Sequence, residues 1–144
     1  MITEALTFFT PDTTNNSDGA VFFDTGISCG VPSPTNDVSQ QRISLDKELI
    51  KNKETTFFAR VSGQSMIGAG LDDNDLLVID RSIAPTNNKI AVCFLDGEFT
   101  VKRIRVEQSG VWLQPENPDY QPIQVTQENN FIIWGIVTNV VKKL

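Results

Sequence analysis

The chain has 144 residues, 40% of them hydrophobic and 21% charged, with a formal charge of −6, which suits one domain with a buried core and leaves too little for two. Its longest strongly apolar run, 131–137, is far below the ~20 residues that span a bilayer, and the opening Met1-Ile2-Thr3-Glu4 lacks the basic patch and apolar stretch of a secretory signal, so a cytoplasmic protein without membrane contact is expected. The negative charge and scattered basic residues give no footprint for direct nucleic-acid binding, and the absence of histidine excludes Ser/His/Asp triads, Cys/His dyads and almost every transition-metal site, leaving lysine or a carboxylate as the base for any nucleophilic chemistry.

Residues 1–40 read as an extended arm: 10–19 is polar and turn-rich, and 31–37 carries Pro32, Ser33, Pro34 and Asn36. Val21, Phe22, Phe23 and Ile27 interrupt it with an apolar patch too short for a core. Ser44, followed by Leu45, Leu49 and Ile50, predicts an N-cap opening a brief helix that frays after Lys53, with Asp46 and Glu48 near its positive end. From Thr55 onward, short β-branched and aromatic runs at 56–61, 76–79, 90–95, 99–106, 111–113 and 131–140 predict a mainly β body. Asp96-Gly97 between the third and fourth runs is the dipeptide a tight hairpin prefers, so these two runs are expected to be antiparallel neighbours. The expected organisation is a flexible N-terminal arm, 1–40, ahead of one folded β-rich domain, 41–144.

Two residues invite a chemical reading. Ser65, in Ser62-Gly63-Gln64-Ser65-Met66, follows a predicted strand, and the glycine allows a sharp turn that pushes a hydroxyl outward and aims neighbouring N–H groups at one point. Lys102 shares a strand face with Thr100, Ile104 and Val106, a largely apolar side. Lysine in water, with a pKa near 10.4, is roughly 0.04% neutral at pH 7, whereas a desolvated amine brought to about 7 or 8 is a usable general base. Taken singly, each has an ordinary alternative: Gly/Ser turns after strands are common, and an edge-strand lysine can snorkel to solvent. Ser44-Leu45-Asp46-Lys47 fits the S-x-x-K pattern of penicillin-recognising enzymes, but their S-D-N and K-T-G elements are missing and the cap reading is preferred. Asp72, Asp73, Asp75 and Asp80 do not have EF-hand spacing, so a solvated turn is expected and no metal or cofactor is assigned. Cys29 and Cys93 are taken as thiols.

Three segments in order, Gly63-Gln64-Ser65-Met66, the stretch LDDNDLLVID at 71–80, and the run from Asp96-Gly97 to Lys102-Arg103, resemble the Ser/Lys autoprotease domain shared by LexA, phage repressors and the UmuD branch of that family. The 37-position separation of Ser65 and Lys102 is similar to that branch, and Cys29-Gly30-Val31-Pro32-Ser33-Pro34 resembles its cleavage segment. The resemblance implies a small LexA/UmuD-like β domain with one short helix and an extended N-terminal arm, in which Ser65 is the nucleophile, Lys102 its base, and the bond between Cys29 and Gly30 the one cut; backbone N–H groups of Ser65 and Met66 are expected as the oxyanion site. It also implies a role in SOS mutagenesis: cleavage stimulated by a RecA filament on single-stranded DNA, a homodimer, and a shortened product that joins a Y-family polymerase subunit, with the sliding clamp as a further partner. A non-catalytic module that binds polymerase or RecA uncut is the alternative.

Within this family a repressor is not expected, because only 29 residues precede Gly30, too few for a DNA-binding module. Signal peptidases with a similar dyad are set aside for lack of an anchor. The 35 positions from Gly30 to Ser65 can extend to roughly 115 Å, which permits cleavage within one chain or between two. Gln64 departs from the aspartate often found at its place in the UmuD branch, and Lys89 from an acidic residue.

Overall fold

The structure, a computed structural model, describes residues 6–12, 20–23 and 40–144. In chain order the elements are β1 (Leu6–Phe9), β2 (Ala20–Phe23), β3 (Gln40–Ile43), α1 (Leu45–Leu49), β4 (Thr56–Val61), a 3-10 turn (Ile67–Ala69), β5 (Leu76–Asp80), β6 (Ile90–Leu95), β7 (Glu98–Glu107), β8 (Gly110–Gln114), β9 (Ile123–Gln124) and β10 (Phe131–Val141). They fall into two compact units, one holding β1 with Asn52–Leu144 and the other lying within Asp12–Lys51. In the smaller unit β2 and β3 form an antiparallel pair. Ser44 is the N-cap residue of α1, but its side chain makes no capping bond and the helix ends at Leu49, short of the expected Lys53.

The larger unit is one antiparallel sheet in the order β1-β4-β5-β10-β6-β7-β8-β9, so the expectation of a mainly β fold holds. Because side chains alternate along a strand, the sheet feeds two apolar clusters. Val92 and Val101 join Ala59, Leu77 and Ile79 in the first, while Ala91, Cys93 and Ile104 join Leu113 and Ile136 in the second. The β6–β7 turn is made by Asp96 (φ 48°) and Gly97 (φ 89°), both left-handed as a two-residue hairpin requires. Asp96 also accepts hydrogen bonds from the Asn130 backbone and the Asn129 side chain, which fixes the start of β10.

β10 carries the curvature. Its register slips once against β6, between Ile133 and Gly135, and once against β5, between Val137 and Asn139. Each slip leaves one extra residue and adds twist, so the central strand can pair with β5 and β6 while the sheet bends between them. At the first slip, a Cβ on Gly135 would lie 2.6 Å from Ile79 Cγ2, a closeness only glycine tolerates because Ile79 is fully buried. The ring of Trp134 packs with Phe8, Phe57 and Phe99, and the Arg81 guanidinium lies 4.6 Å from its centroid. Phe8 ties β1, within the stretch read as arm, to this cluster, and Leu6 to Phe9 pair with Val61 to Phe58. Four strands went unpredicted: β1, β2 and β3 lie in or beside a stretch whose turn residues dominate its composition, and β9 is only two residues long.

Asp80 closes β5. Burial pushes its carboxyl up, but hydrogen bonds from the Ser82 backbone and hydroxyl and from the Thr55 hydroxyl together outweigh that and hold it below the usual carboxylate range.

Three outcomes follow from this packing. Gly135→Ala should cost about 1–3 kcal/mol, seen as a lower urea midpoint with an unchanged slope, because the methyl has no space to enter. Burial pushes the Cys93 thiol from an ordinary 9.0 up to about 12, only partly opposed by the Lys102 charge. Iodoacetamide near pH 8 should therefore leave Cys93 unlabelled in the native protein and label it once urea unfolds the chain. The raised thiol also contributes stability in full below pH 9.0 that is lost as pH rises toward about 12, since the unfolded chain gives up the proton first.

Candidate functional site

Ser65 sits just beyond β4, in the loop that leads to β5. Gly63, at φ 119°, makes the turn that a side chain would strain, and its N–H donates to Asp73 Oδ1 at 3.0 Å. The loop is closed at its base by Val61 N–H to Asp75 O (2.9 Å) and Asn74 N–H to Val61 O (2.7 Å). Asp75 is buried, accepts from the Asp72 backbone, and together with Asp72 receives the Lys142 ammonium, which these hydrogen bonds hold above its ordinary value. The aspartates expected as a solvated turn are instead partly internal. Asp73 and Asp75 brace the base of the Ser65 loop, and the lysine that partners Asp72 and Asp75 lies about 70 residues further along the chain, beyond the reach of local pattern.

Lys102 lies in the middle of β7, opposite Ala91 of β6, and its side chain reaches Ser65 across a separation of 37 residues. Nζ is 2.9 Å from Ser65 Oγ, 2.7 Å from Thr100 Oγ1 and 3.1 Å from the Val101 carbonyl. Ser65 is 1% exposed and Lys102 5%. The amine is thus met by oxygens of its own strand and by the serine hydroxyl brought from the loop after β4. The geometry therefore joins the two residues that were separate candidates in the sequence. Thr100, named there only as a neighbour on the same face, is also within hydrogen-bond distance of the amine because two residues along a strand return to the same side.

A second segment holds the serine from the other side. β8 pairs with β7 only as far as Gln114 opposite Arg103, and beyond it Glu116 N–H donates to Ser65 O at 2.8 Å. Gly68 N–H donates back to Glu116 O at 2.7 Å, and the buried Asn117 donates through Nδ2 to Gln64 O at 2.8 Å. The Glu116 carboxylate pairs with Arg103, next to Lys102 in sequence. Nothing in the sequence pattern singled out Glu116 or Asn117, since both follow a strand in a Pro- and Asn-containing stretch that reads as an ordinary turn. Met66, expected beside Ser65 at the oxyanion site, is 3% exposed and begins the 3-10 turn; its N–H makes no hydrogen bond to any described residue. Cys29 and Gly30 lie outside the described residues.

Comparison with known proteins places the chain in a family. The chain matches the Peptidase S24-like family over residues 21–138. It is 37% identical over 116 residues to Protein ImpA of Salmonella typhimurium, covering 79% of this chain and 77% of that protein. It is 36% identical over 114 residues to Protein MucA of Escherichia coli, covering 78% and 77%. A further match, 35% identical over 116 residues, is the LexA repressor of Delftia acidovorans, where the alignment covers 81% of this chain but 51% of the repressor. These matches bear out the UmuD-type resemblance drawn from the three motifs and support a self-cleaving serine protease of the SOS response. No helix among the described residues is long and apolar enough to cross a membrane. With its match spanning most of its length, the chain belongs to the Peptidase S24-like family.

Proposed function

We propose that this protein cuts its own chain between Cys29 and Gly30, with Ser65 as nucleophile and Lys102 as general base. The observation that carries the reading is the 2.9 Å approach of Lys102 Nζ to Ser65 Oγ, between two side chains that are both almost wholly buried. As Ser65 Oγ attacks the Cys29 carbonyl carbon, its proton passes to Nζ and the carbonyl oxygen becomes an oxyanion. Collapse of that intermediate breaks the C–N bond, and the Lys102 ammonium returns the proton to the leaving amine of Gly30. Residues 1–29 remain on Ser65 as an ester until water, deprotonated by the same amine, releases them with a carboxylate at Cys29. Thr100 Oγ1 and the Val101 carbonyl orient the amine and stabilise it while it carries the extra proton.

In this reading the arm, 1–40, is substrate and the body, 41–144, is enzyme. The shortened, homodimeric product serves as accessory subunit of an error-prone Y-family polymerase, and a RecA filament on single-stranded DNA stimulates the cut. The sliding clamp is a further partner. These roles rest on the resemblance to the UmuD branch and on the similarity to ImpA and MucA.

Incubation with RecA, single-stranded DNA and ATP should release a fragment whose N-terminal residue is Gly30, identified by intact mass spectrometry. Ser65→Ala and Lys102→Ala should each slow that release by about a thousandfold or more; normal cleavage by Ser65→Ala would sink the proposal and leave a binding module. Without RecA, the rate for the unmodified chain should rise with pH, because only the uncharged amine can take the serine proton. Lys102→Arg should be inactive at every pH up to about 10, since a guanidinium stays protonated above pH ~12.

A further inference from the structure

The two peptide units flanking Ser65 are both held by their carbonyl oxygens, and both holders come from one short segment. Asn117 Nδ2 donates to Gln64 O at 2.8 Å, and Glu116 N–H donates to Ser65 O at 2.8 Å. No peptide bond among the described residues is cis, and in a trans peptide the C=O and the following N–H point in opposite directions within one plane. Fixing the Gln64 carbonyl toward Asn117 therefore turns the Ser65 N–H away from it. In the same way, fixing the Ser65 carbonyl toward Glu116 turns the Met66 N–H away.

Asn117 is itself held. It is 8% exposed, and its Oδ1 accepts from the Asp119 N–H at 3.0 Å while its Nδ2 serves Gln64. Exchanging the two amide atoms would set oxygen against the Gln64 carbonyl and deprive Asp119 N–H of its acceptor, so the hydrogen bonds determine the orientation. The contact between the segments is close. A Cβ on Gly68 would stand 2.5 Å from Glu116 O, and the Gly68 N–H donates to that same oxygen. The Arg103–Glu116 ion pair ties the segment to β7 one residue from Lys102.

We propose that Asn117 is a positioning residue that aims the Ser65 N–H at the oxyanion formed during self-cleavage, with the Glu116 N–H doing the same for the next peptide; the inference rests on the Ser65 and Lys102 reading above. Asn117 does not touch the reacting atoms. It acts by denying the Gln64–Ser65 peptide the freedom to flip, so the donor is already oriented when charge develops.

The test uses the full-length chain and follows self-cleavage from about pH 7 to about pH 10, without RecA. Asn117→Leu keeps the volume and removes the donor, and Asn117→Ala removes the side chain; both are uncharged, so neither adds a field at Lys102. Losing the aim of one oxyanion donor should lower the plateau rate by about 10- to 100-fold. The midpoint of the pH–rate profile should not move, because the Nζ–Oγ contact is untouched. Gly68→Ala, which pushes the same segment away from the other side, should give the same signature. Rates within twofold of the unmodified chain would overturn the proposal. So would a displaced midpoint, which would mean that the Ser65–Lys102 contact had been disturbed, or a rate loss no larger than the unfolded fraction measured by urea titration, which would make Asn117 a stabilising residue only. Failure of the parent reading is separable: it shows as cleavage by Ser65→Ala, whereas an inactive Ser65→Ala beside an unaffected Asn117→Leu removes this inference alone.

Discussion

A lysine amine in contact with a serine hydroxyl, both nearly closed to solvent, is the constraint around which the larger unit is arranged. A charge buried without partners is expensive, so the amine must be met by oxygens or shed its proton. The fold brings neutral oxygens to Nζ, among them Ser65 Oγ, Thr100 Oγ1 and the Val101 carbonyl. Two of these belong to the strand that carries the lysine, and the serine is brought from a distant loop. The contact between amine and hydroxyl therefore depends on a long-range event, the delivery of the loop after β4 onto the middle of β7.

That delivery is secured from two directions. Below the loop, Gly63, Asp73 and Asp75 close its base, and Asp72 and Asp75 receive Lys142 from the end of the chain. On the other side, the segment that follows β8 bonds the serine loop through Glu116 and Asn117. The antiparallel sheet makes both possible, because the two slips in β10 let it bend so that β4 and β5 on one side and β7 and β8 on the other contribute to one site.

The same burial that suits the lysine disables the other nucleophile in the body. Cys93 stands opposite Thr100 in the β6–β7 register, close enough for its thiol to feel the Lys102 charge, yet desolvation dominates and keeps the sulfur protonated. A thiol needs its anion to react. The hydroxyl can instead pass its proton to an adjacent amine as it attacks, so this interior favours serine chemistry over cysteine chemistry. Membership of the Peptidase S24-like family agrees with that preference.

Local rules, which need only neighbours in sequence, were enough for most of the β body. Alternating β-branched runs marked six of its strands, Asp96-Gly97 marked the hairpin, and the lack of histidine left lysine as a candidate base. Ser65 and Lys102 were legible as residue types in suitable settings, and three ordered motifs linked them through resemblance. Strands with little pattern of their own were not legible: β1 owes its pairing to β4 and its Phe8 contacts to Trp134 and Phe99, and β9 to two residues of β8. The roles of Asp72, Asp75, Glu116 and Asn117 also lay outside local pattern, because each is defined by a partner more than 50 residues away. Residue type and short-range spacing determined which groups could do chemistry; only the bend of the sheet, which sets distances that no spacing along the chain encodes, decided that the amine and the hydroxyl would meet.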